Sequence, residues 1–291
     1  SRVRTAGAWT AIAMFGDRAS YGVSWTTLEG AVRTAAIAAP AHWQHAPSTA
    51  PYAYSTLQDG KVGLIDYRAC EDLARFKQFM TATLQQIRQA PIQALIVDIR
   101  RNGGGDSDLN DVLWTSVSNK PFKQFGGAIE KASDRLKREY GREKYVAIYG
   151  ERAWSAPNGT ILQLGTDPSE GLTVPGPVAN RYAGPVYLLI STATFSSAMS
   201  CALAAKDYGL ATLVGEETGE PATSTGELYT AVAPATKLAA DLTTKVLLAP
   251  RPQPDDQGVV PDFTVATTPA DIAAGRDPVM ERALAMIAAA K

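Results

Sequence analysis

From residue 52 onward the hydrophobic positions fall into short apolar runs separated by amphipathic stretches. Lys61–Tyr67 is an apolar run of strand length, opened by the turn pair Asp59-Gly60. Over Cys70–Ala90, the residues Leu73, Phe76, Phe79, Met80, Leu84 and Ile87 recur at three- and four-residue steps, which predicts an amphipathic helix. Ala94–Ile99 reads as a strand covered on both faces. Gly103–Gly105 breaks it, and Asp108–Ser116 can start a helix. The alternation resumes with a strand over Val186–Ile190, a helix over Ser196–Lys206 and a strand over Ala211–Val214 that ends at Gly215. Leu238–Leu248 supplies further strands, Val259–Val265 another short one, and Pro278–Ala290 a C-terminal helix. Strand–helix–strand repetition with apolar strands predicts an α/β fold with a largely parallel sheet.

Two stretches depart from this pattern. Residues 1–50 are alanine-rich, with strand-like runs at Trp9–Phe15 and Tyr21–Trp25 and a closing Pro40, as in the remnant of a small β-rich subdomain. Residues 51–291 then form the main domain. Within it, 119–183 reads as an insertion over the core: Lys131–Lys144 is dense in charge, and Gly, Pro and Asn punctuate Ser155–Pro177. Such an insertion is either a lid or specificity element, or a solvated surface excursion.

Composition narrows the function classes. With 45% hydrophobic and 20% charged residues the chain has an ordinary globular balance, so it can bury a core. A net charge of −1 gives no electrostatic footprint for nucleic acid. No run of 18 apolar residues exists to span a bilayer. Two cysteines, Cys70 and Cys201, read as buried small hydrophobes, and two histidines without a metal-binding motif argue against a metal or other cofactor.

Candidate chemistry sits at two strand ends. Asp98–Gly105 carries three successive glycines, whose backbone can adopt positive φ and turn N–H groups toward a developing negative charge. A phosphate cradle is the rival reading, but no Walker lysine and no G-x-G-x-x-G spacing accompanies it. The second is Thr194-Phe195-Ser196-Ser197-Ala198-Met199-Ser200, a helix start after a buried strand. A hydroxyl there can cap the helix, or it can be a nucleophile at the carboxyl edge of the sheet, where open α/β folds bind ligands.

Asp98–Gly105 resembles the D-[LIV]-R-x-N-x-G-G signature of peptidase family S41, the C-terminal processing or tail-specific peptidases. Ile190–Ser200, Lys206-Asp207-Tyr208-Gly209, Leu213-Val214-Gly215-Glu216 and Gly258-Val259-Val260-Pro261-Asp262 follow in the family's order. The resemblance implies a ClpP/crotonase-like core with parallel strands and crossover helices, preceded by a PDZ-like or other β-rich segment. It also implies a peptide or protein substrate and, family members being mostly exported, a periplasmic or otherwise exported protein. Counting eleven residues back from Asp207 assigns the nucleophile to Ser196, with the backbone N–H groups of Gly104 or Gly105 and of Ser197 as oxyanion donors.

The chain departs from the processing branch where that branch has its lysine base. Twenty-five residues after Ser196 stands Pro221, which cannot take a proton, and Lys206 projects from the helix nearly three turns away. The pattern is closer to the tricorn-like peptidases and the interphotoreceptor retinoid-binding repeats. In that branch a histidine is the base and an acid orients it; here the acid position falls on Asp255, or on the neighbouring Asp256. His42 and His45 lie in no matching motif, which places the expected base upstream of Ser1 and predicts little turnover by these 291 residues alone. Three readings follow: a serine endopeptidase, a non-catalytic module binding a peptide or hydrophobic ligand, and an acyl-CoA enzyme of the crotonase type. The hydroxyl-rich helix start disfavours the last.

Overall fold

The computed structural model describes residues 20–27, 29–38, 50–165, 171–251, 254 and 256–290. The chain divides into two compact units, residues 1–50 with 267–277 and residues 51–266 with 278–291. In the first, β1 (Ser20–Thr26) and β2 (Val32–Ala38) form an antiparallel hairpin that contains the predicted Tyr21–Trp25 strand. Trp9–Phe15 and Pro40 lie outside the described residues.

The second unit is built on a six-stranded sheet. Its strands are β3 (Tyr52–Leu57), β4 (Val62–Tyr67), β5 (Ala94–Asp98), β8 (Val186–Ile190), β9 (Thr212–Gly215) and β12 (Phe263–Thr264). They stand in the order β12-β9-β8-β5-β4-β3, all parallel except the antiparallel edge strand β3. Period-two alternation sends Leu95, Val97, Leu188, Ile190 and Leu213 into the core on one face. There they meet Phe76, Met80 and Leu84 of α1 (Leu73–Gln89), Leu113 and Trp114 of α2 (Asp108–Val117), and Met199 and Leu203 of α4 (Ser197–Tyr208). Ala94, Ile96, Tyr187, Leu189 and Val214 face the other way, against Val279, Ala283 and Ile287 of α6 (Pro278–Ala289). Both faces are covered, and this is why the central strands are unbroken apolar runs in sequence. The fold class is α/β with a parallel core, as the strand–helix alternation predicts.

Residues 119–183 do not stand alone as an excursion. They contribute β6 (Gly127–Lys131), the kinked α3 (Asp134–Ser155) and β7 (Ile161–Leu164). These two strands join β10 (Ser224–Val232) and β11 (Ala239–Leu248) in an antiparallel sheet of order β10-β11-β6-β7. The predicted Leu238–Leu248 strand therefore belongs to this second sheet and not to the parallel one. Its small core comes from Leu136, Tyr145, Tyr149, Ala153 and Leu162. Val259–Val265 narrows to the two residues of β12, and α5 (Pro269–Ala273), capped by Thr268, follows it.

Inside the second sheet Glu130 is buried opposite Lys245 on the neighbouring strand, with their charged atoms 3.8 Å apart. Neither carboxylate oxygen of Glu130 has a hydrogen-bond partner among the described residues, and burial raises its pKa. The ammonium of Lys245 donates to Ile148 O at 2.6 Å and lies over the Tyr149 ring. Removing one member of such a pair leaves an uncompensated charge. Lys245→Met is expected to lose roughly 3 kcal/mol at neutral pH in urea denaturation. A raised carboxyl pKa means that the folded state holds its proton when the unfolded state has lost it. The loss should therefore shrink as the pH falls and Glu130 becomes neutral.

Candidate active site

The carboxyl ends of β5 and β8, neighbours in the sheet, continue into two loops that are laced together. Thr194 Oγ1 donates to Ile99 O at 3.1 Å, Ser191 Oγ to Arg100 O at 2.7 Å, and Phe195 N–H to Asn102 O at 3.1 Å. Two short hydroxyl side chains and one backbone amide thus serve the carbonyls that lie beyond the end of the parallel ladder. The loops carry the two motifs singled out in the sequence, so Gly104, Gly105, Ser196 and Ser197 come together.

Ser196 occupies the N-cap position of α4, yet its hydroxyl makes no capping hydrogen bond. The residue is exposed, and its backbone stands at φ 54°, ψ −128°, a region that disfavours a residue with a Cβ. A Cβ placed on Gly104 would lie 2.6 Å from Ser196 Cβ and 2.9 Å from Ser197 N, at a φ of +100°. Only glycine allows this approach. At Gly105 (φ +132°) a Cβ would run into the carbonyl of Cys70, and Gly105 O accepts the Ser197 hydroxyl at 2.6 Å. The Gly104 N–H is already taken, donating to Asn102 Oδ1 at 2.8 Å. Among the described residues, the N–H groups of Gly105 and Ser197 have no acceptor.

Beneath the serine lies a buried polar network that the sequence reading missed. Fully buried Asn102 donates through Nδ2 to Tyr67 O at 3.2 Å while its oxygen holds Gly104. Asn110, also fully buried, donates to Ser197 O at 2.7 Å and to Gln124 Oε1 at 2.8 Å, and accepts from the Tyr67 hydroxyl at 3.3 Å. Ser200 donates to Gln124 Oε1 at 2.9 Å. Both cysteines are free and buried. Burial pushes the Cys70 thiol up to about 11 and the Cys201 thiol well above its usual value, so neither is a thiolate nucleophile at neutral pH.

A third loop, after β9, completes the site. Glu216 N–H bonds to Ile190 O, Gly219 N–H to Thr194 O, and Thr218 exchanges backbone and hydroxyl bonds with Val259. At its tip the buried carboxylate of Glu220 accepts the backbone N–H of Ser196 at 2.6 Å. Burial raises the pKa of Glu220, and the Ser196 N–H opposes that shift. No motif marks Glu220, although it adjoins Pro221, which stands where the processing branch has its lysine base.

Lys206 is paired with Asp262 and so is engaged away from Ser196. Asp256 is exposed, while Asp255, His42 and His45 lie outside the described residues. Among the described residues no group of acidic, histidine and cysteine side chains could hold a metal ion, and no helix is long and apolar enough to cross a membrane.

The profile of peptidase family S41 matches residues 61–265. Among solved structures, mature CPAF is similar with a TM-score of 0.58 at 17% identity, covering 86% of this chain and 63% of that one. A candidate peptidase from Parabacteroides merdae gives 0.54 at 19% identity, covering 81% and 64%. A candidate S41 protease from Bacteroides fragilis gives 0.53 at 16% identity, covering 93% and 66%. These likenesses establish a shared fold, and the chain spans less than two thirds of the length of each of these three structures. No curated protein sequence matches it significantly.

Asn102→Ala would strand the Gly104 N–H and the Tyr67 carbonyl without their partner. Each orphaned buried group costs about 1–3 kcal/mol, so a stability loss of about 3 kcal/mol is expected from urea denaturation.

Proposed function

The chain belongs to peptidase family S41, and from that premise we propose that it is a serine endopeptidase acting through Ser196. The observation that carries the reading is the conformation of Ser196: an exposed hydroxyl without a capping bond, on a strained turn between a buried strand and a helix. Sharp, strained strand-to-helix turns present nucleophilic serines in other hydrolases. A helix that needed only a cap would use the hydroxyl for it.

In this mechanism Ser196 Oγ attacks the carbonyl carbon of the scissile peptide and its proton passes to a base. The N–H groups of Ser197 and Gly105 receive the negative charge that develops on the carbonyl oxygen, and the first-turn field of α4 adds to them. Collapse of the tetrahedral species expels the amine, which takes up the proton, and leaves an acyl group on Ser196 for water to remove. Burial of Cys70 and Cys201 and the pairing of Lys206 with Asp262 argue against those side chains as nucleophile or base. The reading takes a histidine outside the described residues as the base, oriented by Asp255.

The test is covalent labelling of the full-length protein with a fluorophosphonate. Labelling is expected on Ser196 and is abolished in Ser196→Ala, with the fold unchanged by circular dichroism. Because a neutral imidazole is required, the labelling rate should rise with pH through the ordinary histidine range, about 6.5. A folded protein that ignores the probe and cleaves no peptide at neutral pH overturns the reading in favour of a binding module.

A further inference from the structure

We propose that Glu220 is a positioning residue for Ser196, its carboxylate clamping the serine's backbone N–H and so holding the strained turn that presents the hydroxyl. The proposal rests on the serine-peptidase reading for its catalytic meaning, and on geometry alone for the clamp.

A residue other than glycine at φ 54°, ψ −128° persists only where its surroundings over-determine it. At Ser196 the neighbours supply that constraint from both sides. On one side the Ser196 Cβ lies so near Gly104 that any side chain at 104 would meet it. On the amide side, Glu220 Oε2 accepts the N–H at 2.6 Å, a charge-assisted bond of the strong kind when the carboxylate is ionised. Ser200 N–H bonds to Ser196 O at 3.1 Å, so the serine's N–H and its C=O are both engaged and only its side chain is free. Holding the serine's own N–H on Glu220 also excludes that group from the oxyanion site, which leaves the task to Ser197 and Gly105.

The backbone that carries the carboxylate is itself held. Thr218 Oγ1 donates to Glu220 O at 3.3 Å, and Gly258 packs against that carbonyl so closely that a Cβ there would sit 3.0 Å from it. Ala222 N–H bonds to Gln257 O at 2.9 Å, and Pro221 between them restricts Glu220 to extended backbone. Among the described residues no charged side chain contributes to the environment of Glu220. On its own loop the nearest acid, Glu217, is turned to Gly258 N–H at 2.7 Å, and residues 191–197 and 257–259 bring no titratable carboxylate or ammonium. Among the described residues the partner of this buried carboxylate is the Ser196 amide, so its place is explained by what it accepts.

Two readouts on the full-length protein test this. In serine-selective ¹⁵N spectra the Ser196 amide proton is expected far downfield and to titrate with a carboxyl pKa above the ordinary glutamate range. The signal should move to an ordinary position in Glu220→Ala, and should stay downfield without titrating in Glu220→Gln, whose amide oxygen still accepts. Fluorophosphonate labelling should fall about 100-fold in Glu220→Ala, the scale of an ångström-sized misplacement, and should be largely recovered in Glu220→Gln. Labelling of Glu220→Ala at the parent rate, or equal loss in the Gln and Ala variants, overturns the proposal, the second because it would make the charge essential and not the position. A parent protein that is never labelled yet shows the Glu220-dependent amide overturns the peptidase reading and leaves the clamp standing.

Discussion

The site depends on how the two central parallel strands end. Where β5 and β8 stop, the carbonyls of Ile99, Arg100 and Asn102 run past the ladder, and they accept from Thr194, Ser191 and the amide of Phe195 across the gap between the two loops. Sheet order makes this possible, because strands at 94–98 and 186–190 lie side by side. The lacing turns two loops into one rigid body attached to the best-buried part of the molecule. Everything chemical is then a matter of what that body carries: a glycine backbone on one side, a serine on the other, and no side-chain volume between.

The supports are polar and buried, an arrangement that is stable only if every member finds a partner. Asn102 and Asn110 meet that condition by each touching two or more separate segments. Asn102 ties the glycine loop to the end of β4; Asn110 ties the first turn of α4 to Gln124 and Tyr67. The neutral Cys70 thiol sits among them as a soft filler. The glycines, the serine and the helix start are thus registered against a common base, and Glu220 adds a hold from the third loop.

The parallel core was legible because strands covered on both faces must be apolar at successive positions, and Ala94–Ile99 and Val186–Ile190 show it. β3 and β10 escaped notice for the opposite reason: each has one exposed side, with buried and exposed positions mixed. α3 is broken by Gly141 and Gly150, so no single helical period runs through it. At the site, Ser196 and the glycines could be placed from motif spacing. Asn110 and Glu220 could not, since their partners lie 87 and 24 residues away and nothing local distinguishes a buried polar residue from a solvated one.

Ser196 stands at a backbone position that suits glycine better than any residue with a side chain. Its hydroxyl is not spent on the helix cap. By stability alone, then, the chain would drift toward glycine at 196. On the peptidase reading proposed above, a lineage of this fold that stopped needing the hydroxyl would gain by losing it, since thermodynamic interest and chemical task point in opposite directions at this position.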